Sequence, residues 1–165
     1  IANADLAKLG RLTGLRKLNV SSKKITDAGM MQLRNLVNLE SLSIERTSVS
    51  DSGLIHLKRL TKLRYLSATG TTISEDGFKD LDGLINLRDL ILVGTSVTGI
   101  RFEHLSVMPK LAWLDVERHA VDRLQGLHAA GQRIADLEVH CQIVEGEQGV
   151  SHGGGSARGR LPAGA

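Results

Sequence analysis

The residues able to do chemistry are few and scattered. Asp115 and Asp136 could form a carboxylate pair for general acid–base work, if the segments carrying them are neighbours. His119, His140 and Cys141 could ligate zinc by residue type. Two histidines and one cysteine without C-x-x-C spacing make a weak signal. His56, His104 and His128 each sit beside leucine in amphipathic segments and are expected to face solvent. No phosphate loop, G-x-S-x-G elbow or H-E-x-x-H motif occurs. The expectation is no enzyme: no catalytic residue, no cofactor and no metal. Recognition chemistry remains. The chain has a single tyrosine, Tyr65, and a single tryptophan, Trp113. It also has a run of acids, Asp89, Asp115, Glu117, Asp136 and Glu138. Whether these residues meet depends on the elements that carry them.

Leucine is the telling count among the 165 residues: 26, against four aromatics, Tyr65, Phe78, Phe102 and Trp113. Burial must come from repeated aliphatic positions. Segments beginning at Leu15, Leu39, Leu63, Leu87 and Leu111 read LRKLNV, LESLSI, LRYLSA, LRDLIL and LAWLDV, each 24 residues after the last. A sixth, IADLEV, begins at Ile134, 23 residues after Leu111. Ten residues into each unit stands Ile25, Val49, Ile73, Val97, Val121 or Val144. A second apolar series follows, such as Met30, Leu33 and Leu36, then Leu54, Leu57 and Leu60. Ile1, Leu6, Leu9 and Leu12 fit the back half of a preceding unit. Chance does not hold several registers in phase over six units, so the chain is a repeat.

Each unit carries two periods. In LRKLNV, Leu18 and Val20 alternate with Lys17 and Asn19, the pattern of a strand with one buried face. In GMMQLRNL, apolar residues fall three apart, which suits a short helix or a 3₁₀ segment. The junctions Thr26-Asp27, Ser50-Asp51 and Ser74-Glu75 look like helix starts. The hydroxyl would cap an orphan N–H, and the acid would suit the positive helix end. Gly29, Gly53 and Gly77 recur just after, where a close approach of backbone to backbone is expected.

The unit LESLSIERTSVSDSGLIHLKRLTK resembles the leucine-rich repeat, L-x-x-L-x-L-x-x-N/C-x-L. Thr47, Thr71 and Thr95 stand where that pattern usually has Asn, and Lys23 and His119 depart further. The segment T-x-I/V-T/S-D-x-G-L is similar to repeats common in bacterial proteins. It also resembles the repeats of F-box-type ubiquitin-ligase adaptors, though those are typically longer and carry Cys in the ladder. The resemblance implies an α/β solenoid: an open horseshoe with a parallel sheet of about six short strands on the concave face. Short helical segments would line the convex face. The threonines would sit at the turn after each strand, where their hydroxyls can satisfy backbone groups of neighbouring turns. A residue type repeated at one register reads as structural, not catalytic. The fifth unit loses the Ser/Thr-Asp-x-Gly signature, so irregularity is expected near residues 119–133.

Stacked units turn the outward strand positions into columns. The first is Lys17, Ser41, Tyr65, Asp89, Trp113 and Asp136; the second is Asn19, Ser43, Ser67, Ile91, Asp115 and Glu138. The third is Ser21, Glu45, Thr69, Val93, Glu117 and His140. Tyr65 and Trp113 thus share a column two strands apart, with Ile91 and Val93 on the strand between. An apolar patch on a face that should be wet marks binding, and Tyr and Trp are enriched at hot spots. The plain alternative is that these side chains only pack on their neighbours. The acids Asp89, Asp115, Glu117, Asp136 and Glu138 would select a partner presenting Lys or Arg. Alternatively they form a solvated face that prevents edge association. The expected function is a non-catalytic protein- or peptide-binding module acting through the concave sheet face. A structural spacer in a larger receptor or effector, or the recognition part of a ubiquitin-ligase-type adaptor, are the other readings.

The formal charge of +3 is too mild to mark a nucleic-acid binder. Arg34, Lys58, Arg59 and Lys62 fall on helical segments and turns without interleaved aromatics, so no nucleic-acid groove is expected. No apolar run is long enough for a membrane helix, and IANADLAKLG does not read as a signal peptide. One cysteine excludes an internal disulfide framework and favours a cytoplasmic over a secreted setting. The repeat domain is expected over 1–144 with a truncated first unit. Residues 145–165 are rich in Gly and read as a flexible tail. The chain is expected to be a monomer or part of a longer one.

Overall fold

Alternating apolar and polar residues put Leu18 and Val20 on one side of an extended chain, and the same alternation recurs in every unit. The computed structural model describes residues 1–99, 105–117, 138–142 and 158–159, with backbone alone for Glu117 and the last two segments. Its strands are β1 (Lys17–Asn19), β2 (Ser41–Ser43), β3 (Tyr65–Ser67), β4 (Asp89–Ile91), β5 (Trp113–Glu117), β6 (Glu138–Gln142) and β7 (Arg158–Gly159). They form one sheet in sequence order. Strands β1 to β6 are parallel neighbours. Within the segment read as a tail, β7 pairs antiparallel with β6.

From β1 to β5 the register follows the 24-residue repeat: Leu18, Leu42, Leu66, Leu90 and Leu114 stand opposite one another. At β6 the register departs from the sequence expectation. Trp113 faces Glu138 instead of Asp136, Leu114 faces Val139 and Asp115 faces His140. The strand is slid by two residues. Such a slip keeps the alternation in phase, whereas a slip of one would reverse every side chain. Leu137, Val139 and Cys141 alternate on either alignment, so the apolar pattern alone could not choose between them.

The connections are short helical pieces. Helix α1 spans Asn3–Leu9, α2 spans Asp27–Met30 and runs into a 3₁₀ segment Met31–Asn35, and α3 spans Asp51–Leu54 before a 3₁₀ segment Ile55–Leu57. In the third unit the piece Glu75–Leu81 is entirely 3₁₀. Leu33, Leu57, Leu81 and Leu105 from these connections pack with the strand leucines in one continuous core. A single unit could not cover its own leucines, so stacking supplies the burial. In the first half-unit only Leu6 is fully buried, while Ile1 and Leu12 remain about half exposed, at 52% and 53%.

Of the three expected caps only Ser74 is one, its Oγ accepting from Asp76 N at 3.3 Å. Thr26 and Ser50 make no side-chain cap bond to their own helices. Instead each junction acid binds the next unit. Asp27 Oδ1 accepts from Ser50 N at 2.8 Å, and Asp27 Oδ2 accepts from Ser50 Oγ at 2.7 Å. Asp51 repeats both contacts with Ser74 at 2.8 and 2.7 Å, and Glu75 does so with Thr98 at 3.1 and 2.9 Å. Asn3 plays the same part toward Thr26. The recurring glycines make room for this ladder, and the close approach is to a side chain, not to backbone. A Cβ on Gly53 or Gly77 would lie 2.5 Å from Oδ1 of Asp27 or Asp51. Ser/Thr-acid-x-Gly is therefore an inter-unit lock: Asp27 and Asp51 each use the hydroxyl and the glycine of the unit that follows.

The threonine series closes turns within its own unit. Thr47, Thr71 and Thr95 Oγ1 donate to the carbonyls of Ile44, Ala68 and Leu92 at 2.7, 2.7 and 2.6 Å. The residue before each threonine is left-handed: Arg46 at φ 53°, Gly70 at 67° and Gly94 at 66°. Glycine adopts that region freely; Arg46 occupies it with a side chain.

Candidate functional site

Of the residues singled out for binding, the strands place Tyr65, Asp89, Ile91, Trp113 and Asp115 on the sheet face turned away from the core. Its first column is set by backbone pairing: Lys17, Ser41, Tyr65, Asp89, Trp113 and then Glu138. Adjacent members stand on strands about 4.8 Å apart. Asp89 therefore lies between Tyr65 and Trp113, and all three are half-buried. The second column runs Asn19, Ser43, Ser67, Ile91, Asp115 and His140. Ile91 and Asp115 are half-buried. Val93 is half-buried one step further, where its carbonyl accepts from Gly70 N at 2.8 Å.

Several placements differ from the columns read from the sequence. Glu138 lies beside Trp113 instead of Asp115, and the backbone of Glu117 pairs with Gln142 instead of His140. Asp136 lies outside the described residues, as does His119, so neither the Asp115–Asp136 pair nor the His119–His140–Cys141 set has a described geometry. The changed partners of Trp113 and Glu117 follow from the two-residue slip of β6. His56 is half-buried where solvent exposure was expected; His104 and His128 are outside the described residues. Ser43 and Ser67, on the outward phase, are 8% and 0% exposed. Small side chains on strands this close are covered by larger neighbours. Glu45 shows how: its Oε1 accepts from Ser67 Oγ at 2.7 Å, laying a carboxylate over the second column.

Glu45 was not singled out from the sequence, although it stands in the third column. The signal available was its acid type at an outward register. With it, the described part of this face carries Glu45, Asp89 and Asp115, and on β3 to β5 no Lys or Arg occupies the columns. Ionisable groups and apolar groups are thus interleaved at strand pitch. That arrangement suits contact with a second macromolecule more than enclosure of a small one. Among the described residues, no group of three His, Cys, Asp or Glu side chains could hold a metal ion. No described helix is long and apolar enough to cross a membrane.

No protein-family model matches the chain, and no curated protein matches it. Among solved structures it is similar to internalin C2 of Listeria monocytogenes, with a TM-score of 0.56 and 22% identity, over 67% of this chain and 48% of that one. It also matches the internalin inlF of the same organism at a TM-score of 0.44 and 17% identity, over 86% of this chain and 51% of that one. The chain spans about half the length of these two structures. The first likeness, with the in-register parallel strands, establishes the fold: a leucine-rich-repeat solenoid.

Proposed function

We propose that the chain is a protein- or peptide-binding module that works through the outer sheet face. Tyr65, Ile91, Val93 and Trp113 are its apolar anchors. Asp89, Asp115, Glu117, Asp136 and Glu138 select a partner rich in Lys or Arg. The observation that carries this reading is the row Tyr65, Asp89, Trp113 on consecutive strands, half-buried and outside the core cluster. Aromatic rings flanking a carboxylate offer area and charge at one spot, the combination found where a basic side chain docks. The leucine-rich-repeat fold supports the reading by supplying a wide, preformed sheet surface; it does not name the partner. Binding without chemistry is the simplest use of such a surface.

The test is to place a photo-crosslinking residue at Ser41, identify what it captures, and measure affinity for variants of the face. Trp113→Ala is expected to cost at least about 2 kcal/mol of binding. Asp115→Lys with Glu138→Lys is expected to slow association and flatten its salt dependence. Lys58→Glu, on the helical side, is expected to leave binding intact. Full binding by Trp113→Ala together with loss at Lys58→Glu would move the site to the helical side and overturn the proposal.

A further inference from the structure

A second surface lies where each unit passes from its helical segment into its strand. Backbone hydrogen bonds there run from Glu40 N to Arg16 O, Arg64 N to Glu40 O, Arg88 N to Arg64 O and Ala112 N to Arg88 O, at 2.7 to 2.8 Å. Residues 16, 40, 64 and 88 therefore form a row at strand pitch, about 4.8 Å per step. Arg16, Arg64 and Arg88 are exposed along it. Beside this row, two residues earlier in each unit, Asn38, Lys62, Asn86 and Lys110 form another. Lys62 Nζ donates to Asn38 Oδ1 at 2.8 Å, and Lys110 Nζ donates to Asn86 Oδ1 at 2.6 Å. The asparagines in turn donate to the carbonyls of Thr13 and Thr61 at 3.0 and 2.8 Å. An amide oxygen fixes where an ammonium sits without cancelling its charge.

The two rows hold one acid, Glu40, and Arg16 already holds it, with Nε and Nη2 donating to Oε1 at 2.9 and 2.6 Å. Among the described residues, Lys62, Arg64, Arg88 and Lys110 make no ion pair. Val37 and Ile85 add exposed apolar area in the adjoining register, at 38% and 49%. Four cations outside any ion pair, beside isolated apolar residues, form a surface suited to an anionic, partly apolar partner.

We propose that this flank binds an acidic protein segment whose carboxylates take, at Arg64 and Arg88, the place that Glu40 takes at Arg16. The Arg16–Glu40 contact is the internal precedent: a guanidinium here captures a carboxylate from the next unit. On an acidic helix, Glu residues four apart lie about 5–6 Å from one another, close to the spacing of Arg64 and Arg88. Apolar residues between those acids would meet Val37 and Ile85. Single-stranded nucleic acid fits less well, because no aromatic residue stands in these rows to stack a base. The proposal is independent of the outer-face reading.

The experiment uses the full chain and a fluorescein-labelled amphipathic peptide with Glu at four-residue spacing and Leu between. Binding is read by anisotropy at low salt, with an oligo-dT strand and phosphatidylserine vesicles measured in parallel. Arg64→Glu with Arg88→Glu is expected to weaken peptide binding at least about tenfold. A peptide with Lys in place of Glu is expected to bind that variant better than it binds the parent. Lys23→Glu with Lys24→Glu makes the same charge change in the exposed turn after β1 and is expected to alter binding less than about twofold. If the reversed variant does not fold, Arg64→Gln with Arg88→Gln replaces it, with a smaller loss expected. Trp113→Ala is expected to bind the acidic peptide normally, which separates this surface from the outer face. Equal losses from both charge reversals, absence of peptide binding, or tighter binding to the oligonucleotide or the vesicles would overturn the proposal.

Discussion

Replacing Asp51 tests the lock between units. Its two carboxylate oxygens accept from Ser74 N at 2.8 Å and from Ser74 Oγ at 2.7 Å, in a part-buried setting. A hydrogen bond to a charged group contributes about 1.5–3 kcal/mol. Two of them, with some rehydration of Ser74 allowed, put Asp51→Ala at about 2–4 kcal/mol of lost stability. Asp51→Asn should cost less than about 1 kcal/mol, because the amide can accept from the same N–H and donate to the same hydroxyl. Asn3 already does this toward Thr26, at 3.0 and 2.9 Å. Gly77→Ala should cost roughly 2 kcal/mol through overpacking, since its Cβ would stand 2.5 Å from Asp51 Oδ1 and 2.8 Å from Leu54 Cδ1. The closest of those atoms is absent in Asp51→Ala. The double variant should therefore lose about 1 kcal/mol less than the sum of the two single losses. Urea unfolding of the four variants, followed by circular dichroism with the slope checked, measures each term. An unchanged midpoint for Asp51→Ala, or strict additivity with Gly77→Ala, would refute the lock.

Three further outcomes follow from the turns and the surface. Thr71→Val should destabilise by roughly 1 kcal/mol in the same unfolding assay, because the buried hydroxyl donates to Ala68 O at 2.7 Å. Arg46→Gly should raise stability by about 1 kcal/mol, by relieving a side chain at φ 53° where the two following units use glycine. The Glu40 carboxyl should titrate below its ordinary 4.5, held down first by the hydrogen bond from Arg16 and then by the charges of Arg16, Arg64 and Lys62. A carboxyl depressed in the folded state contributes stability that is present above its unfolded value and lost as pH falls through the folded one. NMR titration should show the midpoint rising toward 4.5 in Arg16→Ala; no movement would detach Glu40 from Arg16.

The repeat was legible because its cause is local and redundant. Leu18, Leu42, Leu66, Leu90 and Leu114 could be aligned by counting, and the backbone pairs them as counted. The shared column of Tyr65, Asp89 and Trp113 followed from the same count. Glu138 did not, because β6 follows residues that lack the Ser/Thr-acid-x-Gly signature, and alternating Leu137, Val139 and Cys141 fit either of two registers.

The sequence by itself determined which aliphatic residues form the core and that the repeat strands are neighbours, since hydrophobic period and repeat length are properties of the chain read in order. Only the tertiary structure decided what the polar junctions do. Thr26-Asp27 and Ser50-Asp51 have the composition of a helix cap, yet Asp27 bonds to Ser50 in the following unit, 23 residues away. Gly53 is short of a side chain because Asp27 already fills that space. The flank likewise exists only in the stack: Arg64 and Arg88 are 24 residues apart in the chain and one strand apart in the sheet. A hydrogen bond or a charge acts on whatever lies within a few ångströms, and stacking, not sequence separation, sets what lies there.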